Sequence, residues 1–208
     1  MIDALFEGLV TLANDGSTIR PGVAERGIVS DDGKTYTFHL RANARWSNGD
    51  PVTATDFIES FLRFLDPRLR SPFVNDIFMI AGAADYAEGR DPDPASVGLR
   101  APDARTFVIT LAHRSPYFLT RLTEREIRPV HLPSVDKHGG RIRREAPWDK
   151  PGNLVSNGPF VLSSWQPNAV LVVTKNPHYW DAERVRLNKI RFYPFADLAA
   201  AERAYRTG

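Results

Sequence analysis

Cysteine is absent from this chain of 208 residues, and methionine occurs only twice. Without cysteine, the protein can form no disulfide, no thiolate metal site and no cysteine nucleophile. The sequence also lacks an apolar run long enough to cross a membrane as a helix. Its first residues, Met1 to Phe6, do not have the basic and apolar pattern of an export signal, so we expect the chain as written to be soluble and unexported.

An excess of charge of one sign is missing as well. Lysine and arginine number 27, aspartate and glutamate 25, and the net charge is +2. This balance gives no indication of a nucleic-acid partner. The hydrophobic content of 42% is ordinary for a folded protein, and the length allows one large domain or one domain with part of another.

Signatures of catalysis are also missing. The five histidines form no pair at helical spacing and no HExxH motif, and neither a nucleophile elbow nor a phosphate-binding glycine loop occurs. His131 and His138 lie seven residues apart in a weakly patterned tract, so a metal-dependent peptidase is the weakest alternative. We expect no catalytic residue, no metal site and no cofactor.

The clearest local pattern is a strand followed by a tight turn. Tyr36, Phe38 and Leu40 alternate with polar residues, which predicts a half-buried strand over 35–41. The segment Trp46 to Pro51 then combines an aromatic residue, an Asn-Gly pair suited to positive φ, and a proline. These residues predict a rigid connection, with Trp46 as a packing residue.

A helix is predicted directly after this turn. Thr53 has the position of an N-cap and Asp56 that of its capping-box partner, so the helix should begin at Ala54. Apolar residues recur at helical spacing until Leu65, and Asp66-Pro67 should end the helix.

Weaker patterns cover the remainder. We predict a turn at 14–16, strands over 26–30 and 106–111 beside the first strand, a helix over 76–88 ended by Gly89, and a short helix capped by Ser115 with Pro116 in its first turn. The tract 131–153 should be a long loop or a connector between lobes. Further strands are predicted over 160–165, 169–174 and 189–193, and a helix over 197–206.

Four collinear segments resemble one protein family. They are LFEGL at 5–9 with PGVAE at 21–25, the segment from Thr35 to Phe57, the segment 105–122 with SPYF at 115–118, and SNGPF at 156–160 followed by KNPHYWD at 175–181. In this order they resemble the bacterial extracellular solute-binding proteins of family 5, the oligopeptide- and dipeptide-binding proteins of ABC importers.

The resemblance implies an α+β fold, mixed α/β and rich in β-structure, like the type II periplasmic binding proteins but incomplete. Residues 1–145 would form the N-terminal segment and the small inserted domain. Residues 146–208 would form the truncated middle segment of the first large lobe, and the second large lobe would be absent. Members of the family are more than twice as long, so we expect a fragment.

The same resemblance implies a function in transport. The whole protein would capture an extended peptide between two lobes and deliver it to permease subunits in the membrane, as a monomer outside the cytoplasm. Alternatives are a nickel chelate or an oligosaccharide as ligand. For the isolated chain, a remnant that binds nothing is an equal alternative, because the cleft would have one wall.

Three residues are candidates for ligand binding. Phe73 aligns with an aromatic position that contacts ligand in peptide-binding relatives, and a role in the core is an equal alternative. Asn157 and Gly158 belong to the segment that returns to the first lobe near the cleft, although an Asn-Gly turn is the simpler interpretation. Trp180, like Trp46, is interpreted as a packing residue.

Overall fold

The computed structural model describes residues 1–143 and 145–207. Its helices are α1 (Ile2–Leu5), α2 (Ala54–Leu65), α3 (Ala83–Ala87), α4 (Phe118–Arg121), α5 (Leu132–Lys137) and α6 (Leu198–Thr207). Its strands are β1 (Val10–Leu12), β2 (Ile19–Pro21), β3 (Ala24–Val29), β4 (Thr35–Leu40), β5 (Leu99–Asp103), β6 (Thr106–Thr110), β7 (Phe160–Gln166), β8 (Val170–Lys175) and β9 (Lys189–Phe192). The predicted turn at 14–16 joins β1 and β2, which pair with each other.

An antiparallel four-stranded sheet, in the order β3-β4-β6-β5, forms the larger part of the fold. The predicted pairing of the first three strands is confirmed, with Phe38 opposite Phe107 in the centre. Helix α2 covers one face of this sheet, since the rings of Phe57 and Phe61 lie 5.7 and 5.8 Å from that of Phe107. Alternation along β4 and β6 therefore supplies one wall of a continuous apolar core.

Helix α2 begins and ends where its sequence predicts. The Thr53 hydroxyl accepts a hydrogen bond from the Asp56 amide at 3.3 Å, and the Thr53 amide donates to the Asp56 carboxylate at 2.7 Å. This capping box satisfies two backbone donors that the helix itself leaves free. The preceding turn is also confirmed, because Gly49 has a φ of +94° and Trp46 is fully buried.

The predicted helix over 76–88 is wrong. A short 3-10 helix spans Val74–Ile77, and α3 begins only after Gly82, whose φ is +71°. A Cβ on Gly82 would lie 2.5 Å from the Ser96 carbonyl oxygen, so a close approach of the loop before β5 imposes the break. Gly89, with a φ of +73°, does follow the end of α3 as predicted.

Two further predictions are corrected. The Ser115 side chain does not cap α4, which begins at Phe118 after a turn closed by the Ser115 carbonyl. For the tract 131–153 the alternative of a long loop is wrong, because the tract contains α5 and a 3-10 helix over Pro147–Asp149, and the alternative of a connector between lobes stays a prediction. Arg141 pairs with Asp136 of α5 at 2.6 Å within this tract, and its ion pair with Glu59 at 3.0 Å ties the tract to α2.

An antiparallel three-stranded sheet, in the order β7-β8-β9, forms the second part of the fold. All three strands are confirmed within one residue of their predicted ends, as is α6. Its small apolar cluster consists of Phe160, Leu171 and Val173 together with Leu5 from α1. In α6 the described residues include none that is buried. None of the described helices is long and apolar enough to cross a membrane.

Candidate functional site at the junction of the two sheets

Phe73 lies on the surface rather than in the core. Its side chain is 48% exposed, at the start of the 3-10 helix Val74–Ile77. The alternative role of Phe73 as a core residue is therefore wrong. An exposed aromatic ring on an ordered turn is available for contact with a ligand.

Asn157, the second sequence candidate, is buried at the junction of the two sheets and is 2% exposed. Its side-chain oxygen accepts a hydrogen bond from the Glu7 amide at 3.0 Å, and its side-chain nitrogen donates to the Glu7 carbonyl at 2.9 Å. The side chain thus pairs with Glu7 as a neighbouring strand would. It fastens the N-terminal segment to a residue 150 positions further along the chain.

Gly158 lies against the same N-terminal segment. Its amide donates to the Leu5 carbonyl at 2.8 Å, and its carbonyl accepts a hydrogen bond from the Asn176 side chain at 2.9 Å. A Cβ at this position would lie 2.6 Å from the carbonyl carbon of Leu5. Gly158 is not among the glycines with positive φ, so close backbone contact, rather than a turn that needs positive φ, explains the glycine.

Glu7 is a candidate site residue that the sequence analysis did not identify. Its carboxylate accepts a hydrogen bond from the Tyr179 hydroxyl at 2.7 Å and from the Trp180 indole nitrogen at 2.5 Å, and the residue is 8% exposed. Both donors belong to the KNPHYWD segment and the acceptor to LFEGL. A search for a buried acid and matching donors within these two motifs could have suggested the contact.

Burial raises the pKa of the Glu7 carboxyl above its ordinary value. The hydrogen bonds from Tyr179 and Trp180 oppose this rise, as do the positive charges of Arg41 and Arg128. Burial and the nearby Glu7 charge also raise the pKa of the Tyr179 phenol, which therefore remains a hydrogen-bond donor at neutral pH.

Arg41 connects this cluster to the four-stranded sheet. Its guanidinium carbon lies 3.6 Å from the centre of the Trp180 ring, and its Nε donates to the Gly22 carbonyl at 2.8 Å. The predicted packing role of Trp180 is thus combined with a hydrogen bond and a cation–π contact. Together these contacts join the segments that follow α1, β4 and β8 into one polar junction.

A polar cleft of about 650 Å³ opens beside this junction. Arg128 lies along it, donating to the Phe6 carbonyl at 2.5 Å and to Asp3 at 2.7 Å. Arg125 pairs with the same aspartate at 3.0 Å. The volume lies within the range of ligand pockets. The other lining residues are Glu7, Thr11, Leu12, Thr123, Glu124, Glu126, Pro159 and Tyr179.

The histidines considered as metal ligands do not converge. His131 is 6% exposed, with Nε2 3.1 Å from an Asp50 carboxylate oxygen and Nδ1 accepting the Ser134 amide at the start of α5. His138 lies at the other end of α5. Within residues 1–143 and 145–207, no group of three or more His, Cys, Asp or Glu side chains is placed to hold a metal ion.

Comparison with protein families gives a match over nearly the whole chain. Residues 18–208 match the family described as bacterial extracellular solute-binding proteins, family 5 middle. The chain is 37% identical over 206 residues to the periplasmic oligopeptide-binding protein OppA of Salmonella typhimurium, covering 98% of this chain and 36% of the relative. It is also 37% identical over 206 residues to the probable deoxycholate-binding periplasmic protein YgiS of Escherichia coli, with 98% and 37% covered.

Solved structures agree with these matches. The chain superimposes on Haemophilus influenzae OppA in complex with the peptide RPPGFSPFR with a TM-score of 0.92 at 34% identity. This superposition covers 99% of the chain and 39% of the solved structure. The expected α+β fold of the type II periplasmic binding proteins is therefore confirmed, and the chain spans little more than a third of the length of its relatives.

Proposed function

Because the chain belongs to the bacterial extracellular solute-binding proteins of family 5, we propose that it is part of the substrate-binding component of a peptide ABC importer. The whole protein captures an extended oligopeptide or dipeptide between two lobes and passes it to membrane permease subunits. It acts outside the cytoplasm, as a monomer, and it is a binding protein rather than an enzyme.

The observation that carries this proposal is the superposition on a relative solved with a bound peptide. A TM-score of 0.92 over 99% of the chain means that the backbone of this region follows that relative closely. The relatives named as periplasmic support the proposed location. Similarity of fold alone would not define a ligand, but identity above 30% with several peptide-binding relatives favours a peptide.

We also propose the division of the chain at residue 145. Residues 1–145 comprise the N-terminal segment and the inserted domain, and residues 146–208 belong to the first large lobe. The two separate apolar clusters support this division. Leu5 packs in the cluster of the three-stranded sheet, as expected if the N-terminal segment is shared with the first lobe.

The three candidate residues take different roles in this proposal. Phe73 contacts the ligand, because its ring is exposed on an ordered turn. Asn157 and Gly158 support the binding region by hydrogen bonds to the backbone of Glu7 and Leu5, which hold these two residues against the first lobe. Direct contact of the Asn157 side chain with a peptide would require breaking its two hydrogen bonds to Glu7.

The test is calorimetry of the full-length protein that contains this chain, with di- to pentapeptides as ligands. We expect saturable binding of peptides and no cleavage of a fluorogenic peptide. The 208-residue chain alone should bind far more weakly, since it spans about a third of its relatives. Absence of peptide binding by the full-length protein, or turnover abolished by a chelator, would refute the proposal.

A second ligand class is supported by one observation. YgiS, named for probable deoxycholate binding, is as similar to this chain as OppA is. Deoxycholate therefore belongs in the same calorimetric series, beside a nickel chelate and an oligosaccharide. Heat from deoxycholate without heat from any peptide would assign the protein to the second class.

A further inference from the structure

A turn of the form serine, proline, aromatic residue occurs twice in this chain. Ser71-Pro72-Phe73 precedes the 3-10 helix Val74–Ile77, and Ser115-Pro116-Tyr117 precedes α4. In both, the serine carbonyl accepts a hydrogen bond from the amide after the aromatic residue, at 3.4 and 3.3 Å. The aromatic residues have nearly the same backbone angles, with φ −107° and ψ 11° at Phe73 and φ −94° and ψ 1° at Tyr117.

An ion pair connects the two turns. Arg121 lies 4.0 Å from Asp76. The Asp76 amide donates to the Phe73 carbonyl at 3.0 Å, and the Arg121 amide donates to the Tyr117 carbonyl at 3.0 Å. Each aromatic residue therefore lies one helical turn before its member of the pair. The ion pair therefore brings the helical turns that follow Phe73 and Tyr117 next to each other.

Exposure distinguishes these two aromatic side chains from their neighbours in sequence and space. Tyr117 is 73% exposed and Phe73 is 48% exposed. Every other aromatic side chain in residues 1–143, all of which the structure describes, is buried or half-buried. In a region whose other aromatic rings serve the core, two exposed rings on matching turns indicate a surface used for binding.

The turn that carries Tyr117 is held in place from below. Phe118 is fully buried, and its ring packs edge-on against Tyr36 with 4.7 Å between centroids. The Tyr36 hydroxyl donates to the Ser115 carbonyl at 3.3 Å. The exposed Tyr117 ring thus projects from an ordered turn, so that little conformational entropy is lost when a ligand binds against it.

We propose that Tyr117 is a second ligand-contacting residue, which together with Phe73 forms an aromatic platform for an extended peptide. The proposal rests on the peptide-binding function proposed above. A flat ring contacts the peptide backbone and apolar side chains of many sequences alike. Within the part of the chain that the structure describes, the Tyr117 hydroxyl has no hydrogen-bond partner, so it is free to bond a peptide group.

The experiment is calorimetric titration of the full-length protein and its variants with one peptide that the wild type binds. Tyr117→Ala should weaken binding about tenfold, and Tyr117→Phe by a smaller factor, because only the hydroxyl is lost. The effects of Phe73→Ala and Tyr117→Ala should not add, since one ligand contacts both rings. Tyr193→Ala is the matched control, because Tyr193 is 56% exposed in the segment after β9.

The outcomes separate the two proposals. If the wild type binds the peptide and Tyr117→Ala binds it with the same dissociation constant, the aromatic platform is overturned and the peptide function stands. Failure of the wild type to bind any peptide would overturn both. If Tyr193→Ala weakens binding as much as Tyr117→Ala does, the platform is also overturned, since the effect would then not depend on the two Ser-Pro-aromatic turns. The melting temperature of each variant should remain unchanged, because all three mutated rings are exposed.

Discussion

The two sheets of this chain differ in how far each supplies its own core. The four-stranded sheet is covered by α2 and contributes to a continuous apolar cluster whose buried members come from residues between Leu9 and Ile127 in the sequence. The three-stranded sheet has a cluster of four residues, and one of them, Leu5, comes from α1. Large apolar side chains remain exposed on and after its strands: Trp165, Leu187, Tyr193, Phe195, Leu198 and Tyr205.

This difference indicates that the three-stranded sheet depends on contacts outside itself. A sheet with one small apolar cluster buries too little surface for independent stability. In this chain the missing support comes through the polar junction, where Asn157 and Gly158 bind the backbone of Glu7 and Leu5. We therefore expect the two sheets to unfold together.

The largest expected effect is in the core of the four-stranded sheet. Phe107→Ala removes a fully buried ring that packs on Phe57 and Phe61, and it should cost about 3–5 kcal/mol of unfolding free energy. Leu171→Ala in the three-stranded sheet should cost about 2 kcal/mol. Chemical denaturation followed by tryptophan fluorescence should give one transition in both variants. Two separate unfolding transitions would contradict the expectation that the two sheets unfold together.

The next largest effect is at the junction. Asn157→Ala leaves the buried amide and carbonyl of Glu7 without their partner, which should cost about 3 kcal/mol. Asn43→Ala is the matched control, because Asn43 also links the two parts through the Trp180 carbonyl at 3.2 Å but is exposed. Its loss should cost about 0.5 kcal/mol in the same denaturation experiment. Equal costs for the two variants would contradict a buried junction.

A smaller, pH-dependent effect should come from Glu7. Burial raises the pKa of this carboxyl in the folded protein, so between the ordinary value of 4.5 and the folded value the folded state binds more protons than the unfolded state. This contribution to stability is complete below the unfolded pKa and is lost as the pH rises through the folded pKa. Relative to Glu7→Gln, the wild type should therefore gain stability as the pH falls from neutral towards 4.5.

Denaturation curves of both proteins at several pH values measure this difference. Glu126→Gln, at an exposed position lining the same cleft, is the control. A wild type that loses stability relative to Glu7→Gln on acidification would show that the ionised carboxylate is favoured in the folded state.

The smallest effect is expected in α6. Leu198→Ser changes a side chain that is 89% exposed, on a helix without a buried residue among those described, so stability should change by less than about 0.5 kcal/mol. Leu5→Ser, at 5% exposure in the cluster of the three-stranded sheet, should by contrast destabilise strongly. A large effect of Leu198→Ser would mean that α6 supports the sheet after all.

Elements governed by neighbouring residues were predictable from the sequence. Alternation defined β4 and β6, and Thr53 with Asp56 defined the first residue of α2. The family resemblance, which the comparisons confirm, came from the same kind of local pattern. Phe73 was selected by that resemblance, and its exposure agrees with a surface role, although ligand contact remains a prediction.

The amino-acid sequence alone determined the strands, the capped helix and the family, because each depends on side chains within a few residues of one another. Only the tertiary structure decided why Gly82 and Gly158 are glycines and what Glu7 and Asn157 do. In each case the deciding partner is distant in sequence: Ser96 for Gly82, Leu5 for Gly158, and residues more than 140 positions away for Glu7 and Asn157. Such contacts exist only after the chain has brought its backbone segments together, so no local pattern encodes them.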